Sequence, residues 1–116
     1  MSATLPKTER LSGTKAVSEL FGRGTGGVCG CLRYKYLMRD EPSAPSRIVV
    51  SVPKRSFKRA VKRNLLKRRI REAYRRRKEL LGPGFDVVFI YVHQEVLPYE
   101  VIYEDMGKLL REIQSD

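Results

Sequence analysis

The stretch from Lys58 to Leu81 contains no proline or glycine, and Gly82-Pro83-Gly84 follows it directly. A run of that kind predicts one long helix. Nothing inside it breaks the hydrogen-bond ladder, and Gly82 is placed to adopt the left-handed cap conformation. On a wheel of about 100° per residue, Leu66, Ile70, Ala73, Tyr74 and Leu81 share one sector, which is the predicted core face. Asn64, Lys67, Arg68, Arg71, Arg75 and Lys78 fall on an adjoining sector with no acid among them. Arg69, Arg76 and Arg77 are expected nearer the core margin. One edge of the helix is therefore patterned to pack, and another to carry positive charge.

The rest of the chain supplies the surface on which such a helix packs. Phe85 to Val92 is a dense β-branched and aromatic run, the pattern of a buried central strand. Ile48, Val49, Val50 and Val52 form a shorter strand closed by Pro53. Val28 to Met38 reads as one extended strand with a glycine-loosened start. Pro42 and Pro45 mark the loop that follows. Leu11, Val17, Leu20 and Phe21 have the spacing of a first amphipathic helix, capped by Thr8 or Ser12 and ended by Gly24, Gly26 and Gly27. Pro98 and Glu100 open a last helix with an apolar stripe from Val101 to Ile113. The order helix, strands, helix, strand, helix predicts an α/β (α+β) two-layer sandwich, with helices packed on an antiparallel or mixed sheet. A chain of 116 residues fits a single domain over 1–116, with residues 1–9 as a flexible arm.

Charge says what the exposed edge is for. The formal net charge is +11, and residues 54–78 hold 14 of the 24 lysines and arginines with one acid, Glu72. The remainder is slightly acidic, with 10 bases and 12 acids. Lys67–Arg71 and Arg71–Arg75 are like-charged i,i+4 pairs, each mildly unfavourable in an isolated helix. A helix needing only solubility would mix in glutamate. The reading is a polyanion-binding surface, with nucleic acid favoured over an anionic membrane. Lys54, Arg55, Lys58, Arg59, Lys62 and Arg63 extend it around the helix N-terminus, where unpaired amides also attract anions.

Chemistry for catalysis by the polypeptide is missing from the sequence. His93 is the only histidine, and Cys29 and Cys31 alone make half a metal site at most. They read as two reduced strand cysteines. Asp40-Glu41 and Glu104-Asp105 read as solvent-exposed pairs, whereas two-metal hydrolysis needs several convergent carboxylates. The longest apolar run, Val87 to Val92, is too short to span a bilayer, and Met1 to Lys7 has no apolar signal core. The expectation is a cytoplasmic protein that by itself cleaves nothing.

The segment Ala60-Val61-Lys62-Arg63-Asn64-Leu65-Leu66-Lys67-Arg68-Arg69-Ile70-Arg71-Glu72-Ala73-Tyr74 closely resembles the protein component of bacterial ribonuclease P. That family carries a V-x-R-N-R-x-K-R-x-x-R-E pattern, the RNR motif. Arg63, Asn64, Lys67, Arg68, Arg71 and Glu72 match it. The third motif position, ordinarily arginine, is Leu65 here. Ser51-Val52-Pro53-Lys54-Arg55, Leu20-Phe21-Gly22-Arg23-Gly24 and Gly84-Phe85-Asp86 resemble flanking parts of the family pattern, so the likeness runs through most of the chain in order.

The resemblance implies a ribosomal S5 domain 2-like fold in the order αβββαβα, with a central mixed sheet and a left-handed βαβ crossover around the basic helix. It implies a protein subunit that binds a catalytic RNA and the 5′ leader of precursor tRNA, assisting endonucleolytic removal of that leader. The active site would lie in the RNA. The protein would bind no cofactor alone, Mg2+ would be required by the RNA–protein complex, and one protein would bind each RNA. The residues facing the catalytic RNA would be Lys54, Arg55, Lys58, Arg59, Arg63, Asn64, Lys67, Arg68 and Arg71. A second surface, an aromatic-lined cleft between the first helix and the sheet, would hold the leader. Phe21 fits one lining position, Val17 stands where the family often has phenylalanine, and Tyr34 and Tyr36 are candidates for the opposite wall, the other reading being ordinary strand aromatics. The alternatives are a structural RNA-binding protein, such as a ribosomal or assembly factor, and a DNA-binding helix protein.

Overall fold

The computed structural model describes residues 6–115. Helix α1 spans Thr14–Arg23. Strands β1, Thr25–Cys29, and β2, Leu32–Met38, follow it, then β3, Arg47–Ser51. Helix α2 spans Ala60–Arg77, β4 spans Phe85–Tyr91, and α3 spans Tyr99–Ser115. Short 3-10 turns, Lys7–Glu9 and Lys78–Leu80, precede α1 and extend α2. The order αβββαβα is the expected one. The four strands lie in the order β1-β2-β4-β3. β2 pairs antiparallel with β1 and β4, and β3 pairs parallel with β4, so α2 is the crossover of a βαβ unit.

Side-chain alternation along the strands divides the sheet into two faces. Tyr34, Tyr36, Ile48, Val50, Val87, Phe89 and Tyr91 point to the face covered by α2 and α3, where they meet Leu66, Ile70, Ala73, Tyr74, Ile102, Met106, Leu109, Leu110 and Ile113 in the main core. The core stripe read from the wheel is thus the buried face of α2, and Leu81 is buried just beyond it. Full burial of a side chain the size of Phe89 or Leu66 contributes roughly 1.5–3 kcal/mol. The opposite face holds a smaller cluster, Leu11, Leu20 and Val88, with Val17, Leu37, Val49 and Ile90 at its margin. Among the described residues, α1 and the segment around Leu11 cover that side.

Four local features differ from the sequence expectation. The run from Val28 to Met38 is a hairpin, not one strand. It reverses at Gly30-Cys31, where Gly30 takes φ +60°, and the Cys31 amide donates to Asp105 Oδ2 of α3 (3.0 Å). Gly26 and Gly27 lie in β1 and do not merely end α1. Gly27 is needed there, because a Cβ at this position would lie 2.6 Å from the Tyr34 hydroxyl. The proposed arm is also partly folded. Glu9 pairs with Lys78 at 2.9 Å, and the Leu11 amide donates to the Ile48 carbonyl; residues 1–5 of that arm lie outside the described residues. The N-cap of α1 is Gly13, in place of Thr8 or Ser12.

The regular part of α2 ends at Arg77, and Gly82, at φ +77°, donates its amide to the Lys78 carbonyl as the predicted cap. Ser46 then ties the starts of the parallel pair together. Its hydroxyl donates to the Gly82 carbonyl (2.6 Å) and accepts from the Phe85 amide (3.1 Å). Beside it, Arg47 of β3 makes two hydrogen bonds to the Asp86 carboxylate of β4 (2.8 and 2.7 Å).

Candidate nucleic-acid interface

The arginines of α2 look alike in sequence but fall into two groups. The first group is tied down. Arg63 Nη1 donates to the carbonyls of Phe57 (2.7 Å) and Lys58 (2.8 Å). Arg69 Nη1 donates to the Leu97 carbonyl (2.7 Å). Arg77 lies 4.5 Å over the Tyr103 ring and donates to the Tyr103 carbonyl. Gly107 leaves the space for it, since a Cβ there would meet the guanidinium at 2.5 Å. Arg75 makes a two-pronged pair with Glu72 (2.9 and 2.8 Å), and that pairing holds the Glu72 carboxyl below the usual carboxylate range. Lys78 is paired with Glu9. Arg75 and Lys78, expected in the basic row, are thus partly neutralised, and Arg76, expected at the core margin, is exposed.

The second group is available. Asn64, Arg68 and Arg71 are exposed and Lys67 is half-buried, and among the described residues none of their side chains makes an intramolecular hydrogen bond or ion pair. They occupy one edge of α2, next to the buried stripe. The rigid helix fixes their spacing, and packing of Leu66, Ile70 and Tyr74 fixes the direction in which they face. The approach segment adds to this edge. The amides of Ser56 and Phe57 donate to the Pro53 carbonyl, turning the chain sharply. Phe57 is buried, its ring 5.8 Å from that of Tyr91. Lys54, Arg55, Lys58 and Arg59 are left exposed around the start of α2. Arg63 therefore has a positioning part: it holds the loop that presents Lys58, and its remaining N–H groups stay free for phosphate. The first turn of α2 has no acid and no side-chain cap, so its amides add positive potential.

The second expected surface is on the other side of the sheet. Phe21 of α1 is 38% exposed, and Val17 is half-buried beside the sheet. Lys35 Nζ donates to the Phe21 carbonyl (2.7 Å), which binds the end of α1 to β2. Beyond α1 the sheet is partly open. Val28, Arg33, Ile90 and Ser51 are successive cross-strand partners in one row, with Val28 57% exposed and Arg33 exposed. The row sets the apolar Val28 and Ile90 beside the basic Arg33 and the polar Ser51.

Tyr34 and Tyr36 are not part of it. Both are buried, at 7% and 9%, in the core under α2 and α3. Tyr34 donates to Glu112 Oε1 of α3 (3.0 Å), and Tyr36 meets the Phe85 ring edge-on at 5.9 Å. The reason is strand parity: the two tyrosines do share a face, but it is the one away from α1. The alternate residues of β2, Arg33, Lys35 and Leu37, face the cleft. Sequence reasoning passed over Arg33 and Lys35, although a basic–aromatic alternation over 33–36 was there to be read.

The chain matches the Ribonuclease P family over residues 5–114. It is 37% identical to the ribonuclease P protein component of Porphyromonas gingivalis over 120 residues, covering 97% of this chain and 88% of the relative. It is 30% identical to that of Picosynechococcus, covering 91% and 90%. The structure is similar to that of the RNase P protein from Thermotoga maritima, with a TM-score of 0.79 at 26% identity, over 90% of this chain and 97% of the other. The Staphylococcus aureus RNase P protein has the same fold, with a TM-score of 0.77 over 91% of this chain and 95% of that one. With the RNR-like edge of α2, the αβββαβα order and these matches in agreement, the chain belongs to the ribonuclease P protein component family, RNA-binding proteins of tRNA processing.

Proposed function

We propose that this chain is the subunit that docks on the catalytic RNA of ribonuclease P and helps hold the 5′ leader of precursor tRNA for endonucleolytic removal. The observation carrying this reading is the set of unpaired polar and basic side chains on one edge of α2, Asn64, Lys67, Arg68 and Arg71, in the motif's spacing. Guanidinium and ammonium groups without internal partners are free to neutralise phosphates and release counterions. Arginine suits this best, because its planar fork bonds a phosphate through two N–H groups. Asn64 both donates and accepts, and so suits a 2′-hydroxyl or a base edge. Lys54, Arg55, Lys58, Arg59 and Arg63 continue the same contact around the helix start.

The leader is assigned to the cleft beside α1. A partly exposed aromatic, Phe21, on the helix that covers this sheet face, with the bases Arg33 and Lys35 on the face itself, is a sequence-tolerant way to hold a single strand. Two surfaces on opposite sides of the sheet let one small protein touch both RNAs of the reaction. Catalysis is assigned to the RNA with its Mg2+. Among the described residues no three His, Cys, Asp or Glu side chains come together as a metal cage. The protein's part is to neutralise charge where RNA strands converge, in the cytoplasm and with one protein per catalytic RNA.

The test is reconstitution. Adding the protein to its cognate catalytic RNA at low magnesium is expected to restore 5′ cleavage of precursor tRNA, while the protein alone leaves the substrate intact. Absence of stimulation at every magnesium concentration overturns the reading.

A further inference from the structure

One cavity adjoins the docking edge without being explained by it. A pocket of about 550 Å³ lies between the start of α2 and the loop joining β4 to α3. Small-ligand sites run from about 300 to 1,000 Å³, so a nucleotide fits. Phe57, Leu65 and Val96 line its apolar part. Phe57 is itself only 5% exposed and held against Tyr91, so it gives a fixed wall. Lys58, Arg59 and Lys62 line the other part. All three are exposed, and among the described residues none of their side chains has an internal partner.

Leu65 gives the pocket its character. It occupies the position where the RNR pattern has arginine, and here it is a half-buried apolar side chain in the pocket lining. Val61, one turn earlier, is 78% exposed, so two apolar side chains stand one turn apart here among the cations of α2. An apolar recess rimmed by three unpaired cations does not suit an inorganic anion, which would gain nothing from Leu65 and Val96. It suits a ligand with a flat apolar body and a negatively charged backbone.

We propose that this pocket takes one unstacked nucleobase of the bound RNA, its flanking phosphates on Lys58, Arg59 and Lys62. The proposal rests on the RNA-docking reading above and deepens it. With leucine at the motif's arginine position, this point of α2 offers a base an apolar surface in place of a charge. Gln94 and Glu95 complete the lining. The Glu95 carboxylate accepts from an exocyclic amine and repels phosphate, so adenine, cytosine and guanine are favoured over uracil, which has no such amine.

Two measurements test it. In methyl spectra of the protein, millimolar adenosine 5′-monophosphate is expected to shift the Leu65 and Val96 signals, with a weaker shift from uridine 5′-monophosphate and none from ribose 5-phosphate. In binding to the catalytic RNA, Leu65→Ser and Val96→Ser are expected to weaken affinity about tenfold, the scale of one lost base contact, with the salt dependence unchanged. Leu65→Met restores affinity to within about twofold, as an apolar swap of similar volume. Lys62→Ala instead lowers the salt slope by about 0.7–0.9. The proposal is overturned if both serine variants bind as wild type, or if ribose 5-phosphate shifts the methyls as adenosine 5′-monophosphate does. In that case Arg68→Ala still weakens binding and the docking reading stands. If Arg68→Ala also binds as wild type, the docking reading itself has failed.

Discussion

Arg68→Ala separates docking from folding, because the Arg68 side chain is exposed and, among the described residues, has no hydrogen-bond or ion-pair partner. Replacing it breaks no such interaction, and alanine is at least as good a helix former as arginine. The change in stability should therefore stay within about 0.5 kcal/mol, or a few degrees in Tm for a domain of this size. The loss in RNA binding should be far larger. A charge-assisted hydrogen-bonded contact contributes about 1.5–3 kcal/mol, so affinity at low salt should fall by roughly 10- to 100-fold. One phosphate contact fewer also lowers the slope of log K against log salt by about 0.7 for single-stranded and 0.9 for duplex geometry. The assay is equilibrium binding to the catalytic RNA across a potassium chloride series. Arg111→Ala is the control: it removes the same unit charge from the exposed side of α3, away from α2's basic edge. An unchanged slope for Arg68→Ala, or an equal drop for Arg111→Ala, would refute local contact and leave only a general field of the protein.

Phe21→Ala should leave catalytic-RNA affinity within twofold of wild type but reduce the preference for leader-bearing precursor over mature tRNA by about 5- to 100-fold, as expected for one lost stacking platform; if it behaves like Arg68→Ala, the two-surface arrangement is wrong. Tyr34→Phe removes the hydrogen bond to Glu112 and should destabilise the fold by about 1 kcal/mol in urea titration, with leader preference unchanged; a leader effect without a stability effect would return Tyr34 to the cleft. Burial and the nearby Asp105 carboxylate push the Cys31 thiol up to about 12, and Cys29 is also raised, chiefly by burial. Neither thiol should react readily with an aromatic disulfide reagent at pH 8 in the native state, and both should react in guanidinium chloride. Because the folded pKa of Cys31 lies above its unfolded value, its contribution to stability is intact below about pH 9 and is lost as pH rises towards 12; stability rising over that window would contradict it.

The parts of the fold that could be read from sequence were those governed by a single local period. Leu66, Ile70, Ala73 and Tyr74 announce the buried face of α2 through 3.6-residue spacing, and Gly82 announces its end. The β1–β2 hairpin was hidden because Gly30-Cys31 sits inside an otherwise apolar run without the Asn-Gly or Asp-Gly signal that marks most tight turns. Parity showed that Tyr34 and Tyr36 share a face. Which face α1 covers depends on packing between distant elements, and no local pattern records it. The same limit applies to the basic edge. Arg63, Arg69, Arg75 and Arg77 match Arg68 and Arg71 in charge and helical context. What distinguishes them is the position of the carbonyls of Phe57, Leu97 and Tyr103 and of the one acid, Glu72, all but the last supplied from outside α2.

The N-terminal segment has a consequence for how the protein behaves without RNA. A strand at the margin of a sheet offers unpaired backbone groups to any similar strand nearby. Here the outer margin of β3 is partly occupied by the chain itself, through the bridge between Arg10 and Ile48 and the Leu11 amide, with the Glu9–Lys78 pair anchoring the segment to α2. The opposite margin, β1, is five residues long and carries Gly26 and Gly27 at its centre, a poor template for a foreign strand. Shortening the chain past Arg10 would uncover a β-branched margin, Ile48 to Val50. The first symptom would be self-association on concentration, arising before any change in RNA affinity.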